Sequence, residues 1–170
     1  MSSLSYTYPV EGGGLITSFF GARDTSNLPT GASSYHQGID IAAKEGTNVL
    51  AAFSGIISSA GYNSSKGNYI IIDHGNGLST EYGHLSEIVA KVGQKVSEGA
   101  AIGTVGSTGI STGAHLDFRI KENGTYLDPL KYGLEGAEEM KIDVDNILGI
   151  LKKYWLYIAG GLLLFAVISK

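Results

Sequence analysis

Residues 113–121 read Gly-Ala-His-Leu-Asp-Phe-Arg-Ile-Lys, polar and apolar side chains in turn. In an extended chain successive side chains point to opposite faces, so Leu116 and Phe118 look one way and His115 and Asp117 the other. A charged aspartate beside a histidine in mid-strand is costly unless it is solvated or paired. The segment therefore reads as a strand with one face in a core and the other lining an open surface. Working outward, similar short runs occur at Leu15–Gly21, Gly38–Ala42, Asn48–Ala52, Gly55–Tyr62, Asn68–Asp73, Ser79–His84 and Ala101–Val105. The 25 glycines and 3 prolines of the chain, set among Val, Ile, Tyr and Thr, have the texture of short strands joined by tight turns. Between Asp73 and Leu78, Asn76-Gly77 supplies the residues that tolerate positive φ in a hairpin. No helical stripe precedes residue 140. The expectation is an all-β domain. It carries an internal echo: Gly46-Thr-Asn-Val49 before Gly55-Ile-Ile57 resembles Gly93-Gln-Lys-Val96 before Gly99-Ala-Ala-Ile-Gly103, as though a hairpin had been used twice.

A chain of 170 residues has room for one domain and an appendage. Its net charge of −4 argues against a nucleic-acid partner, which favours a basic face. Cysteine is absent, so disulfides and thiolate metal sites are excluded, and any metal must be held by His, Asp or Glu. The expected organisation is an N-terminal arm over 1–14, the β domain over 15–134, an acidic linker over 135–150 and a membrane anchor over 151–170. Tyr154 to Ser169 reads YWLYIAGGLLLFAVIS between flanking lysines. As a helix it spans roughly 24 Å, short of the ~30 Å hydrocarbon layer unless the lysines snorkel. Tyr154, Trp155 and Tyr157 suit an interfacial belt, and the run is read as a transmembrane helix. The segment from Met1 to Gly14 has no basic start or apolar run of a secretory signal. Arg23 to Tyr35 is a polar loop long enough to be functional.

Four histidines are present: His36, His74, His84 and His115. His36 and Asp40 share parity on what reads as one extended segment, and an imidazole beside a carboxylate suits zinc. His115 and Asp117 form a second same-face pair. His84 ends a strand in Glu81-Tyr-Gly-His-Leu85, and His74 is expected to be an exposed turn residue without a role.

Taken in order, Phe20-Gly-Ala-Arg23, His36-Gln-Gly-Ile-Asp40, Gly67-Asn-Tyr-Ile-Ile71, Tyr82-Gly-His-Leu85, Val105-Gly-Ser-Thr-Gly109, Gly113-Ala-His-Leu-Asp117 and Asp128-Pro129 resemble the lysostaphin-type zinc metallo-endopeptidase family across about residues 9–132. The resemblance implies a compact antiparallel β domain with a groove across its main sheet. It also implies zinc held by His36, Asp40 and the residue at position 117, with His84 and His115 assisting hydrolysis of a peptidoglycan cross-bridge or stem peptide. At the third ligand position that family has histidine and this chain has Asp117. Aspartate is shorter, and two carboxylates cancel the charge of a divalent ion. The alternative reading is therefore a degenerate domain that binds cell wall or a partner protein. The duplicated hairpin also resembles lipoyl and biotinyl carrier domains, but Lys44, Lys66, Lys91 and Lys95 lack the exposed hairpin-tip setting those need. A phage protein, carried as a virion or lysis component in a virion membrane or the bacterial envelope, would reconcile a wall substrate with the missing export signal. Virion proteins would then be among its partners. Lys152 and Lys153 on the domain side of the anchor favour a cytoplasmic domain.

Overall fold

The structure, a computed structural model, describes residues 6–24, 26 and 30–132. The expected linker and transmembrane helix lie outside the described residues, as do residues 1–5 of the expected arm. Among the described residues no helix is long and apolar enough to cross a membrane.

The described residues form thirteen strands: β1 Leu15–Ser18, β2 Gly21–Ala22, β3 Tyr35–His36, β4 Ile39–Ala42, β5 Asn48–Leu50, β6 Gly55–Asn63 and β7 Gly67–Gly75. Then come β8 Leu78–Leu85, β9 Glu87–Ile88, β10 Lys95–Val96, β11 Ala101–Thr104, β12 His115–Glu122 and β13 Thr125–Leu127. The main sheet runs β1-β4-β12-β8-β7-β6-β10, with β13 added to the far end of β12. A three-stranded sheet runs β5-β11-β9, and β2 pairs β3. Every pairing is antiparallel. The all-β expectation holds.

The alternation of the opening segment fixes β12 in its register. Leu116, Phe118 and Ile120 are fully buried and pack with Ile39 and Ile41 of β4 and Tyr82 of β8. Burial of each such side chain is worth about 1.5–3 kcal/mol. Between β7 and β8, Asn76 (φ 52°) and Gly77 (φ 80°) form the expected two-residue turn, both central residues having positive φ. Residues 6–10, read as part of an arm, run along β5. Thr7 and Leu50 donate backbone hydrogen bonds to Ala52 and Pro9, and Val10 is buried in the core.

The sequence echo has a structural counterpart. β5 pairs β11 and β6 pairs β10, so exchanging the two repeats exchanges the two pairings. The turn of Gly46 donates to Val105 and accepts Val105 N–H through Thr47; the turn of Gly93 treats Ile57 in the same way through Gln94. Thr47 and Gln94 each donate back to a lysine carbonyl, Lys44 and Lys91. Neither repeat closes as the expected hairpin, since β5 does not pair β6 and β10 does not pair β11; each strand of one repeat pairs with a strand of the other.

Candidate active site

On the face of the main sheet opposite Leu116 and Phe118, β12 places Asp117 level with Asp40 of β4 on one side and Gly83 of β8 on the other. A Cβ at Gly83 would sit 3.4 Å from that of Asp117 and 3.7 Å from its Oδ2, ordinary van der Waals contact, so Gly83 lies directly beside the carboxylate. His36 reaches the same point by a different route from the one parity suggests. A single extended segment would separate residues i and i+4 by about 13 Å. Instead β3 ends at His36, the chain bends at Gln37-Gly38, and β4 begins at Ile39. Gly38 lies against the Phe118 carbonyl and 2.5 Å, measured from a Cβ built there, from Arg119 Cγ. Only glycine lets the bend approach β12 so closely.

The bend brings His36 Nε2 to 3.2 Å from Asp40 Oδ1 and 3.4 Å from Asp117 Oδ1. All three donor atoms lie within 4.8 Å of one another. Charge-assisted hydrogen bonds prefer about 2.7–2.9 Å. Donors at ~2.0–2.2 Å from a tetrahedral zinc are ~3.3–3.6 Å apart, so the Asp117 distance matches an edge of such a tetrahedron and the Asp40 distance falls just short of one. The residues fit a zinc ion. Ser18 Oγ, 3.3 Å from His36 Nδ1, helps to aim Nε2 inward. Arg23 Nη1 is 3.3 Å from Asp40 Oδ2, the oxygen turned away from His36.

Electrostatically the three groups form one unit. Burial alone would lower the His36 pKa, but its hydrogen bonds to Asp117 and Asp40 outweigh that and raise it. Burial alone would push the Asp117 carboxyl up, but the His36 hydrogen bond and the Arg119 guanidinium hold it well below the usual carboxylate range.

Two further histidines flank this cluster. His115, first residue of β12, lies with Nε2 3.8 Å from Asp40 Oδ1, while its Nδ1 donates to the Gly113 carbonyl at 2.8 Å. His84 sits where β7 and β8 slip in register and has φ 62°, the left-handed region that costs a non-glycine residue about 1 kcal/mol or more. Its backbone N–H donates to Lys66 O and its Nδ1 to Thr108 O, both at 2.7 Å. The two rings are 4.6 Å apart between centroids. Burial, the largest influence on His84, lowers its pKa and favours the neutral ring. With Nδ1 of each engaged by a carbonyl, Nε2 of each is left for chemistry.

His74 lies apart from these groups, and its expected exposed position is corrected. It ends β7 half-buried, with Nδ1 3.0 Å from Ser54 O, Nε2 2.7 Å from Thr80 Oγ1 and its ring against Phe53. Its work is structural. Sequence reading missed Arg119, although it shares the parity of Asp117 two residues on. Nε is 3.0 Å from both Asp117 oxygens and Nη2 2.5 Å from Oδ2.

Two adjoining depressions of about 280 and 550 Å³ share Arg23, Asp40 and His115 and form a trough past the cluster. Gly31, Ala32 and Ser33 of the polar loop expected to be functional line the smaller one.

An open trough, a histidine and two carboxylates at zinc spacing, and two imidazoles with free Nε2 atoms define the class: a zinc-dependent peptidase. The model of peptidase family M23 matches residues 34–129, and the chain belongs to that family, whose members are zinc metallopeptidases. It is 38% identical over 111 residues to the peptidoglycan DD-endopeptidase ShyC of Vibrio cholerae, covering 65% of this chain and 26% of that protein. A zinc-containing peptidase from the same organism aligns with a TM-score of 0.66 at 32% identity, over 74% of this chain and 39% of the other. The catalytic domain of lysostaphin from Staphylococcus simulans aligns at 0.63 and 34% identity, over 71% and 92%. The chain spans between a quarter and a third of the length of the first curated relatives it matches.

Proposed function

We propose that this domain hydrolyses amide bonds in the peptide part of bacterial peptidoglycan, with zinc held by His36, Asp40 and Asp117. The observation that carries the reading is the convergence of those three donors beside His84 and His115 in an open trough. The resemblance to a DD-endopeptidase and to lysostaphin supports a stem-peptide or cross-bridge substrate. Zinc bound there supplies Lewis acidity, polarising a carbonyl and making water a better nucleophile. His84, neutral through burial, accepts the proton of the attacking water at Nε2. His115, whose Nε2 faces the cluster, stands where it can stabilise the oxyanion that develops on the scissile carbonyl. An open trough admits an extended peptide without a closing lid.

The second reading, a binding domain without turnover, is favoured by one observation: Arg119 already engages both oxygens of Asp117. Zinc stoichiometry and release of peptides from purified cell walls, measured for wild type, Asp117→His and His36→Ala, separate the two. The hydrolase reading expects about one zinc per chain and activity in the wild type, both lost in His36→Ala. Inactive wild type rescued by Asp117→His would establish the binding reading instead.

The apolar run at 154–169 supports a further proposal, that the domain is tethered to a membrane by residues 151–170, as in a virion membrane or bacterial envelope. The full chain is expected to float with lipid vesicles and Leu163→Arg to stay behind; equal flotation of both would remove the anchor. Mass spectrometry of purified particles tests the virion role, which absence from all of them would end.

A further inference from the structure

The Arg119 guanidinium is the least expected neighbour of a metal site, because it is a second cation aimed at one of the ligands. Its position is held from several sides. Nη1 donates to Gln37 Oε1 at 3.3 Å, and the group lies 5.9 Å from the Tyr126 ring centroid. Arg119 stands level with Glu81 across the β12–β8 pairing. Glu81 in turn receives the Tyr126 hydroxyl proton at 2.8 Å and closes an ion pair with Lys66. Burial works against the guanidinium charge, but Asp117 and Glu81 more than compensate. Arg119 therefore has no low-cost way to swing out.

What it does to Asp117 is uneven. Nε lies 3.0 Å from both oxygens, but Nη2 adds a second and shorter contact, 2.5 Å, to Oδ2 alone, while Oδ1 faces His36 Nε2 at 3.4 Å. A carboxylate without such a partner can offer a cation either one oxygen or both. Coordination through both fills the position that a zinc peptidase keeps open for water or substrate. We propose that Arg119 is the positioning residue of a carboxylate ligand, locking Asp117 so that it presents Oδ1 alone to the metal. The same contact offsets one of the two carboxylate charges, leaving zinc, His36, Asp40, Asp117 and Arg119 with a net +1. That is the charge that zinc with two histidines and one aspartate would have. The proposal rests on the zinc-peptidase reading.

The test replaces zinc by cobalt(II), whose visible absorption is strong in four-coordinate sites and weak in five- or six-coordinate ones. Full-length wild type, Arg119→Ala, Arg119→Lys, Asp117→His and the double variant Asp117→His/Arg119→Ala are loaded and their bound cobalt counted. Wild type and Asp117→His are expected to absorb strongly at one cobalt per chain. Arg119→Ala should keep its cobalt and lose absorptivity several-fold as Asp117 turns to give both oxygens. The double variant should match Asp117→His, since histidine has one nitrogen to offer there. Arg119→Lys keeps the charge without the fork; it should also fall, and it carries the test should Arg119→Ala fail to fold. A wild-type spectrum from folded, loaded Arg119 variants would overturn the proposal, as would an equal loss in the double variant. Wild type that binds no cobalt or zinc would instead overturn the metallopeptidase reading itself.

Discussion

At the scale of single residues the site assigns work by what each ring nitrogen already holds. His84 donates its Nδ1–H to the Thr108 carbonyl and keeps Nε2 free, and burial lowers its pKa below the ordinary 6.5. A general base is useful only when neutral, so the acidic limb of kcat/KM assigned to it should lie below about 6.5. His84→Ala should lower kcat by roughly 10²–10⁴ while zinc content stays unchanged, measured on a soluble peptide substrate. His74 makes an independent test because it lies away from the metal cluster. Burial depresses its folded pKa, so between that pKa and 6.5 the unfolded chain binds more protons than the folded one. Stability then falls as pH drops through this window and levels off below it. Urea unfolding of wild type and His74→Asn at pH 7.5 and 5 should show a larger acid-induced loss in the wild type. Of the proposed metal donors, Asp117 was legible because parity along a strand holds, as His115 and the buried neighbours Leu116 and Phe118 demonstrate, whereas His36 and Asp40 meet across a bend. Arg119 obeys the same parity and was overlooked, since nothing in the order of residues says that a cation will fold back onto the second residue before it. The histidine at 74 misled because the strand runs two residues further than Asp73.

Among elements, the bend between β3 and β4 matters most. Gly38→Ala would place a methyl group against the Phe118 carbonyl and Arg119 Cγ, forcing the two strands apart. A loss of about 2 kcal/mol or more in stability is expected by chemical denaturation, together with weaker zinc binding, because His36 and Asp40 no longer aim at one point. The pairing of His36 with Asp40 was read correctly from the sequence, but for a geometry that the chain does not use. A two-residue strand such as β3 is too short to show a period, and β9 and β10 escaped notice for the same reason. The longer strands were visible because Ile70 and Ile72, or Leu116 and Phe118, repeat at the spacing of two that a half-buried strand requires. His84 depended on a register slip between β7 and β8, which is set by cross-strand fit and leaves no local mark. The repeat was legible as sequence similarity, but its reading as a hairpin was not, since each strand pairs with a strand of the other copy and nothing in either copy names that partner.

For the molecule as a whole, the cluster ties the β3–β4 bend to the central strand β12, so a metal that binds only the folded state must stabilise all of it. With free zinc at a hundredfold its Kd the gain is about 2.7 kcal/mol, read as a higher Tm that a chelator reverses and His36→Ala abolishes. No rise in Tm on saturation would mean that the donors do not act together. The strand β12 also sets a schedule. It is the second-to-last strand among the described residues, yet it lies between β4 and β8. On a translating ribosome, His36 and Asp40 emerge some eighty residues ahead of Asp117, before the strand that will bring the third donor to them has been made. A nascent chain halted short of that strand holds two donors and no trough. The proposed metal can be gained only once residue 117 has been made and β12 has found its place between β4 and β8.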